Sequence, residues 1–162
     1  TFELHNGFFQ QRLFAENYSC IVRQGHPRIG DTLSKQQFLD EEHLALVAPA
    51  TGHSMLDKVL EERGVQRKIA ARVSSYLGLE QILVSTDLVA MVPSRLARTL
   101  ALGDRIKILG LPFPSPTYEV RQYWHERYHH DSGNSWLRKL IFESFTNLPP
   151  VFTKLVGSVS AQ

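Results

Sequence analysis

Residues 118–145 read YEVRQYWHERYHHDSGNSWLRKLIFESF, and two different periods meet inside them. Tyr118, Val120, Gln122 and Trp124 fall on one side of an extended segment, with Glu119, Arg121 and Tyr123 on the other. Further on, Trp136, Leu137, Leu140, Ile141, Ser144 and Phe145 recur at helical spacing behind Ser132 and Asn134, either of which can cap a helix. A strand feeding a closing helix is expected. Between the two periods lie His125, His129, His130, Arg127 and Asp131, the densest cluster of reactive side chains in the chain.

That cluster contains His125-Glu126-Arg127-Tyr128-His129, a formal HExxH, in which two histidines on successive helical turns would hold zinc and the glutamate would act as base. The geometry requires one helix, but the residues before His125 alternate as a strand and Asp131-Ser132-Gly133 interrupts whatever follows. An incidental match on a strand and turn is the expectation. Trp124 and Trp136 are expected to pack in adjacent layers. Asp131 should accept backbone hydrogen bonds at the helix start, with Arg127 or Arg138 beside it.

Upstream, a strand is expected over Leu13–Val22, ended by Gly25-His26-Pro27, because proline removes a ladder donor and restricts its predecessor. A short helix follows over Leu33–Leu39, capped by Thr32 or Ser34, and then a strand over His43–Pro49. Met55, Leu56, Val59 and Leu60 give the next helix, stopped at Arg63-Gly64. Strands over Arg67–Val73, Leu88–Val92 and Ile106–Leu109 alternate with helices over Leu77–Ser85 and Ser94–Leu102. In the first of these helices Leu79, Ile82 and Leu83 should face the core. Three prolines within Pro112–Pro116 make a stiff extended connection between lobes, and Leu148–Gln162 reads as a weakly patterned tail or docking arm. The rhythm predicts an α/β fold: a mostly parallel sheet with helices on both faces, binding ligands beyond the carboxyl ends of its strands.

Composition narrows the function. The 162 residues are 43% apolar with nine phenylalanines, which excludes disorder and allows one ordinary core or two small lobes. A net charge of +2, with both signs interspersed, gives no concentrated footprint for phosphates. The lone Cys20 sits in the apolar run Tyr18–Val22 and reads as a buried thiol, so no disulfide forms within one chain. No signal peptide opens the chain, and no apolar run approaches the roughly 20 residues that span a bilayer.

The strongest ligand candidate is the turn Thr51-Gly52-His53-Ser54, where backbone donors at a helix start, a glycine that permits close approach and two hydroxyls suit a carboxylate or other anion. Ser74-Ser75-Tyr76 adds hydroxyls and an aromatic wall at a neighbouring strand end. Asp87 reads as a structural carboxylate that is buried or braces its loop, and His26 and His43 as strand-end residues whose rings are hydrogen-bonded or solvated. No nucleophile, base and orienter stand at a recognisable spacing, and no Gly-rich phosphate fingerprint occurs.

In order along the chain, Phe8–Phe14, Cys20–Pro27, Thr51-Gly52-His53, Ile82-Leu83 with Thr86–Pro93, and Trp124–Asp131 with Trp136-Leu137-Arg138 resemble the C-terminal effector-binding domain of LysR-type transcriptional regulators. The resemblance covers nearly Phe8–Asn147 and is nearest to the branch of NahR-like, nitrotoluene-responsive and nodulation regulators. It implies a type 2 periplasmic-binding-protein-like regulatory domain, represented by the second lobe and the return segment to the first. The expected division is 1–22 for an incomplete first-lobe segment and crossover strand, 23–112 for the second lobe, 113–147 for the return strand and C-terminal helix, and 148–162 for the tail.

By the same resemblance the function is effector sensing without catalysis, cofactor or metal. A small, aromatic or acidic inducer would be coupled to an N-terminal winged helix-turn-helix that lies outside this chain. Expected contacts are Thr51, Gly52, His53, Ser75, Tyr76 and Phe113. Ser75-Tyr76 stands where several aromatic-effector relatives show His-Phe, so the imidazole donor of a salicylate-like pose is missing. Homo-oligomers through effector domains, DNA and RNA polymerase contacts only through the full-length regulator, a cytoplasmic location and no membrane association complete the implied picture. A stand-alone small-molecule binding module is the alternative, and a zinc hydrolase using HExxH a more distant one.

Overall fold

A computed structural model of the chain describes the backbone of residues 7–47 and 52–146, with side chains for 7–47 and 56–146. It divides into two compact units: Glu16–Thr117, and a smaller one built from residues up to Ala15 and from Tyr118 onward. Strands β1 (Phe8–Glu16) and β2 (Tyr18–Arg23) are followed by α1 (Lys35–Asp40), β3 (Glu42–Leu46), α2 (Gly52–Glu62), β4 (Lys68–Val73) and α3 (Leu79–Val84). Then come β5 (Val89–Pro93), α4 (Ser94–Leu100), β6 (Ile106–Leu109), β7 (Tyr118–His125) and α5 (Ser132–Thr146).

The larger unit is built on a five-stranded sheet in the order β4-β3-β5-β2-β6. β3 pairs in parallel with β4 and β5, whereas β2 runs antiparallel to both of its neighbours, β5 and β6. The expected mostly parallel sheet is therefore corrected: four strands share one direction, but β2 between two of them makes half the pairings antiparallel. Side-chain alternation is identical for either direction, so the sequence carries no sign of this reversal.

Alternation fixes the two faces. Ile21, Leu44, Ala90, Val92 and Ile106 form one buried surface, on which Leu79 and Leu83 of α3 and Ala97 of α4 pack, with Ile82 partly buried at its margin. On the opposite face Phe38 of α1 meets His43 edge-on at 4.6 Å, both fully buried. Cys20 and Val22 point the same way, and the Cys20 thiol is fully buried, which pushes its pKa up.

Local chemistry sets the helix ends. Ser34 caps α1 in a reciprocal box, its Oγ accepting from Gln37 N–H at 3.2 Å while Gln37 Oε1 accepts from Ser34 N–H at 3.0 Å. α2 ends where Val65 N–H donates to Leu60 O at 2.8 Å and Gly64 N–H to Glu61 O at 2.9 Å; Gly64 at φ +64° supplies the left-handed residue that this ending needs.

One expected strand becomes two. Leu13–Val22 is broken at Asn17, whose N–H is taken by its neighbour's Glu16 Oε1 at 3.0 Å and whose carbonyl accepts from Ser94 N–H at 2.9 Å. β1 pairs with β7 in a separate two-stranded sheet, while β2 enters the five-stranded one.

In the smaller unit Phe9 lies 5.9 Å from Trp124 and 4.2 Å from His129, Phe14 lies 4.9 Å from Phe145, and Gln122 Nε2 donates to Gln11 Oε1 at 2.7 Å. α5 is capped by Asp131, not by Ser132 or Asn134: its carboxylate accepts from Asn134 N–H at 2.7 Å and from Asn134 Nδ2 at 2.8 Å, which holds its pKa down. Trp136 does not pack in a layer beside Trp124; it is 65% exposed. Arg138 stands over the Trp124 ring at 4.5 Å, donates to the carbonyls of Tyr128 and His129, and adds its charge to the lowering of the Asp131 pKa without a direct salt bridge among the described residues, while Arg127 lies over the Tyr128 ring. No described helix is long and apolar enough to cross a membrane. The tail expected from Leu148 lies outside the described residues.

Candidate ligand site

β3, β4 and β5 run in one direction and β2 against them, so the carboxyl ends of the first three share one end of the sheet with the start of β2. Leu46 of β3 pairs with Val73 of β4, and Val47 N–H donates to Val73 O at 2.8 Å, so the segments leaving these strands begin side by side. One leads to α2, whose first residues are Gly52 and His53; their side chains, and Thr51 altogether, lie outside the described residues. The other is Ser74–Gly78. There Ser75 is exposed and its Oγ accepts from Leu77 N–H at 3.1 Å, while Tyr76 is half-buried against the core formed with Leu79 and Leu83.

Two further hydroxyls stand at this end, Ser94 at a strand end that the sequence marks and Ser19, which it does not. Ser94, 6% exposed at the start of α4, lies 2.6 Å Oγ to Oγ from Ser19 of β2. Pro93-Ser94 at a strand end was a visible clue, but the partner is 75 residues away and only the antiparallel pairing brings it there.

Phe113 is not brought together with Tyr76. Its ring meets Phe38 at 5.4 Å and 89°, and Phe38 packs on His43, on the face away from Leu44. Tyr76 packs against the cluster that includes Leu44, on the other face. The stiff proline-rich connection delivers Phe113 to that far side of the sheet.

The remaining polar groups, one nitrogen of His43 excepted, have structural partners. His43 Nε2 donates to Phe38 O at 2.7 Å, its Nδ1 has no hydrogen-bond partner among the described residues, and burial lowers its pKa to about 4. His26 Nδ1 accepts from Arg28 and Ile29 N–H, which leaves Nε2–H to donate to Asp87 O at 3.0 Å. Arg28 binds the buried Glu41 through two bonds, at 2.7 and 2.8 Å, and holds its carboxyl below the usual range. Asp87 braces its loop, partly exposed, between Arg23 at 2.8 Å and Arg28 at 3.5 Å, and the Arg23 hydrogen bond lowers its pKa. An open depression of about 350 Å³ lies at the opposite end of the sheet, lined by Arg23, Gln24, Val84, Asp104 and Arg105. Arg23 is engaged by Asp87 and Arg105 faces Glu80 at 3.5 Å, so both cations that line it have carboxylate partners.

The HExxH residues occupy a strand end and a short 3₁₀ turn, Glu126–Tyr128, instead of one helix. His125 Nδ1 accepts from Arg127 N–H at 3.2 Å, and His129 Nδ1 accepts from Trp124 Nε1–H at 3.2 Å. These contacts fix the two rings separately, on an aromatic stack and a turn.

A mixed sheet of this order, reached by two passages of the chain from a smaller unit, has the architecture of a periplasmic-binding-protein-like regulatory domain. The chain belongs to the LysR substrate binding domain family, whose profile matches residues 2–146. It is 38% identical to the HTH-type transcriptional activator NagR of a Ralstonia species and 35% identical to the HTH-type transcriptional activator NahR of Pseudomonas putida, each over 144 residues. Both matches cover 89% of this chain and 48% of the relative, so the chain spans about half the length of these relatives. The crystal structure of the regulatory domain of MexT, a transcriptional activator in Pseudomonas aeruginosa, superposes with a TM-score of 0.72 at 24% identity, over 88% of this chain and 70% of that one. At that identity the likeness is one of fold. The relatives are transcriptional regulators, not enzymes, and the chain is an effector-binding regulatory domain of that kind.

Proposed function

We propose that this chain senses a small aromatic or acidic effector at the loops beyond the carboxyl ends of β3 and β4, with Thr51, Gly52, His53, Ser75 and Tyr76 as contacts. The observation that carries this reading is the parallel pairing of β3 and β4, which starts the α2 turn and the Ser74–Gly78 loop from adjoining positions. Backbone donors at the start of the eleven-residue α2 suit a carboxylate, and the half-buried Tyr76 ring suits an apolar body. Phe113 acts from behind, through Phe38, and not as a contact. The smaller unit is the return part of a first lobe whose other strands belong to a longer regulator, in keeping with the 48% coverage of NagR and NahR. In that protein a winged helix-turn-helix would meet DNA, effector domains would pair copies of the chain, and the whole would act in the cytoplasm.

The test is calorimetric titration of the full-length regulator with a panel of benzoates and hydroxybenzoates. Tyr76→Ala should weaken the best binder by about tenfold or more, the loss of roughly 1.4 kcal/mol of ring contact. Phe113→Leu, which preserves an apolar filler against Phe38, should bind as the parent does. Unchanged affinity in Tyr76→Ala would sink the reading.

A further inference from the structure

The polypeptide passes between the two units twice, at Ala15/Glu16 and at Thr117/Tyr118. Tyr18 and Ser115 are each the third residue inside the larger unit at these two passages. Their backbone and side chain meet: Ser115 Oγ accepts from Tyr18 N–H at 2.9 Å and lies 3.1 Å from Tyr18 O, to which its proton can be given. Tyr18 itself is 4% exposed.

The sheet explains why a hydroxyl is needed there. β2 and β6 pair as Cys20↔Leu109 and Val22↔Lys107, and just beyond the pairing Gln24 N–H donates to Arg105 O at 2.7 Å. In an antiparallel ladder the residues of β2 with this parity direct both N–H and C=O toward β6. Continued by two residues, the register would set Tyr18 opposite Leu111, but β6 ends at Leu109. Tyr18 is thus left with a buried donor and a buried acceptor facing the missing rung. A hydroxyl can satisfy both at once, and a methyl group can satisfy neither. On the other edge of the same segment Asn17 O accepts from Ser94 N–H, so the first passage is fixed to the start of α4 as well.

We propose that Ser115 is a positioning residue for signal transmission: it fastens the two passages to each other, so that they act as one connection when the units shift. The idea rests on the effector-sensing reading for its purpose, but not for its test. Removal of the clasp should let the passages move independently, which broadens the range of separations that the two units sample without touching the ligand loops.

The experiment needs no effector, so its failure is distinct from failure of the functional reading. Spin labels placed through Lys58→Cys on α2 and Lys139→Cys on α5 would give the distribution of separations, and Cys20, fully buried, stays unlabelled. Ser115→Ala should broaden that distribution and raise amide exchange at Tyr18 about five- to tenfold, the equivalent of one typical hydrogen bond. Ser115→Thr, which keeps the hydroxyl, should restore both. Faster exchange at Tyr18 with an unchanged distribution would reduce Ser115 to a local rung and overturn the proposal. Should the alanine variant fail to fold, the parent chain decides: Tyr18 must be protected from exchange to the same degree as Cys20, and free exchange at Tyr18 refutes the clasp.

Discussion

The two units use their apolar residues in opposite ways. Every apolar residue that is buried among the described ones, from Tyr18 to Leu109, lies in the larger unit. In the smaller unit Phe8, Phe9, Tyr123, Tyr128, Trp136, Leu137, Leu140 and Phe145 are all exposed, and α5 has no buried residue. A five-stranded sheet covered by helices closes a core by itself, but two strands and one helix cannot. The difference teaches that the larger unit holds the buried core, while the smaller one keeps its shape separately, by surface stacking around Trp124 and His129.

The largest effect that would test this contrast is Phe38→Ala. Phe38 is fully buried and its ring touches both His43 and Phe113, so truncation should cost about 3–5 kcal/mol in a urea unfolding series. Both tryptophans, Trp124 and Trp136, lie in the smaller unit, so their fluorescence follows that unit while far-UV dichroism is dominated by the larger. The dichroism midpoint should drop in the variant and the fluorescence midpoint should move far less. Equal shifts in both probes would mean that the units unfold as one and would break the comparison.

A second effect sharpens it through pH. His43 is buried as the neutral ring, with its pKa lowered to about 4 against about 6.5 for a free histidine. The unfolded chain therefore binds the proton first, and stability is fully present above about pH 6.5 and lost as pH falls toward 4. That window is worth about 3 kcal/mol for this one ring. Glu41 and Asp87 work in the same direction at lower pH: their carboxyls are depressed by arginines, so their contributions persist above the ordinary carboxylate range and disappear as pH falls through the folded values. His43→Gln keeps a donor for Phe38 O and should flatten the dependence between pH 6.5 and 4 in dichroism-monitored denaturation. An unchanged slope in that variant would show that another group carries it.

Sequence reasoning reached the elements whose signals are local. The Ser34 cap, the core-facing Leu79 and Leu83 of α3, the whole of β6 and the strand-to-helix change after Tyr118 depend on residues within a few positions of one another. It missed what distant partners decide. The break at Asn17 depends on Ser94, the direction of β2 leaves no mark on side-chain alternation, and Phe113 is placed by Phe38 across the sheet. Asp131 reads as an acceptor from the sequence, but Ser132 and Asn134 suit the cap position equally by side-chain type, and only the Asn134 N–H geometry separates the three. The helix that follows the Thr51–Ser54 stretch was legible for the same local reason, through the helical spacing of Leu56, Val59 and Leu60, whereas the Ser19–Ser94 pair joins residues 75 positions apart.

The smallest expected effect is the sharpest on the smaller unit. Trp136 is the bulkiest side chain on α5 and is 65% exposed, so Trp136→Ala should change stability by no more than about 0.5 kcal/mol, as substitutions away from packed features do. Alanine also raises helix propensity slightly, which opposes any loss of residual contact. Measured by dichroism in the isolated chain, the midpoint should stay where it is, with Trp124 left as the single fluorescent reporter. In the full-length regulator proposed above the same substitution is expected to cost more, because further first-lobe chain would cover an apolar face that is exposed among the described residues. A null effect in both proteins would show that the Trp136 face of α5 stays exposed throughout. A large effect already in the isolated chain would show that α5 is packed more fully than its exposure indicates, and the contrast between the units would fall with it.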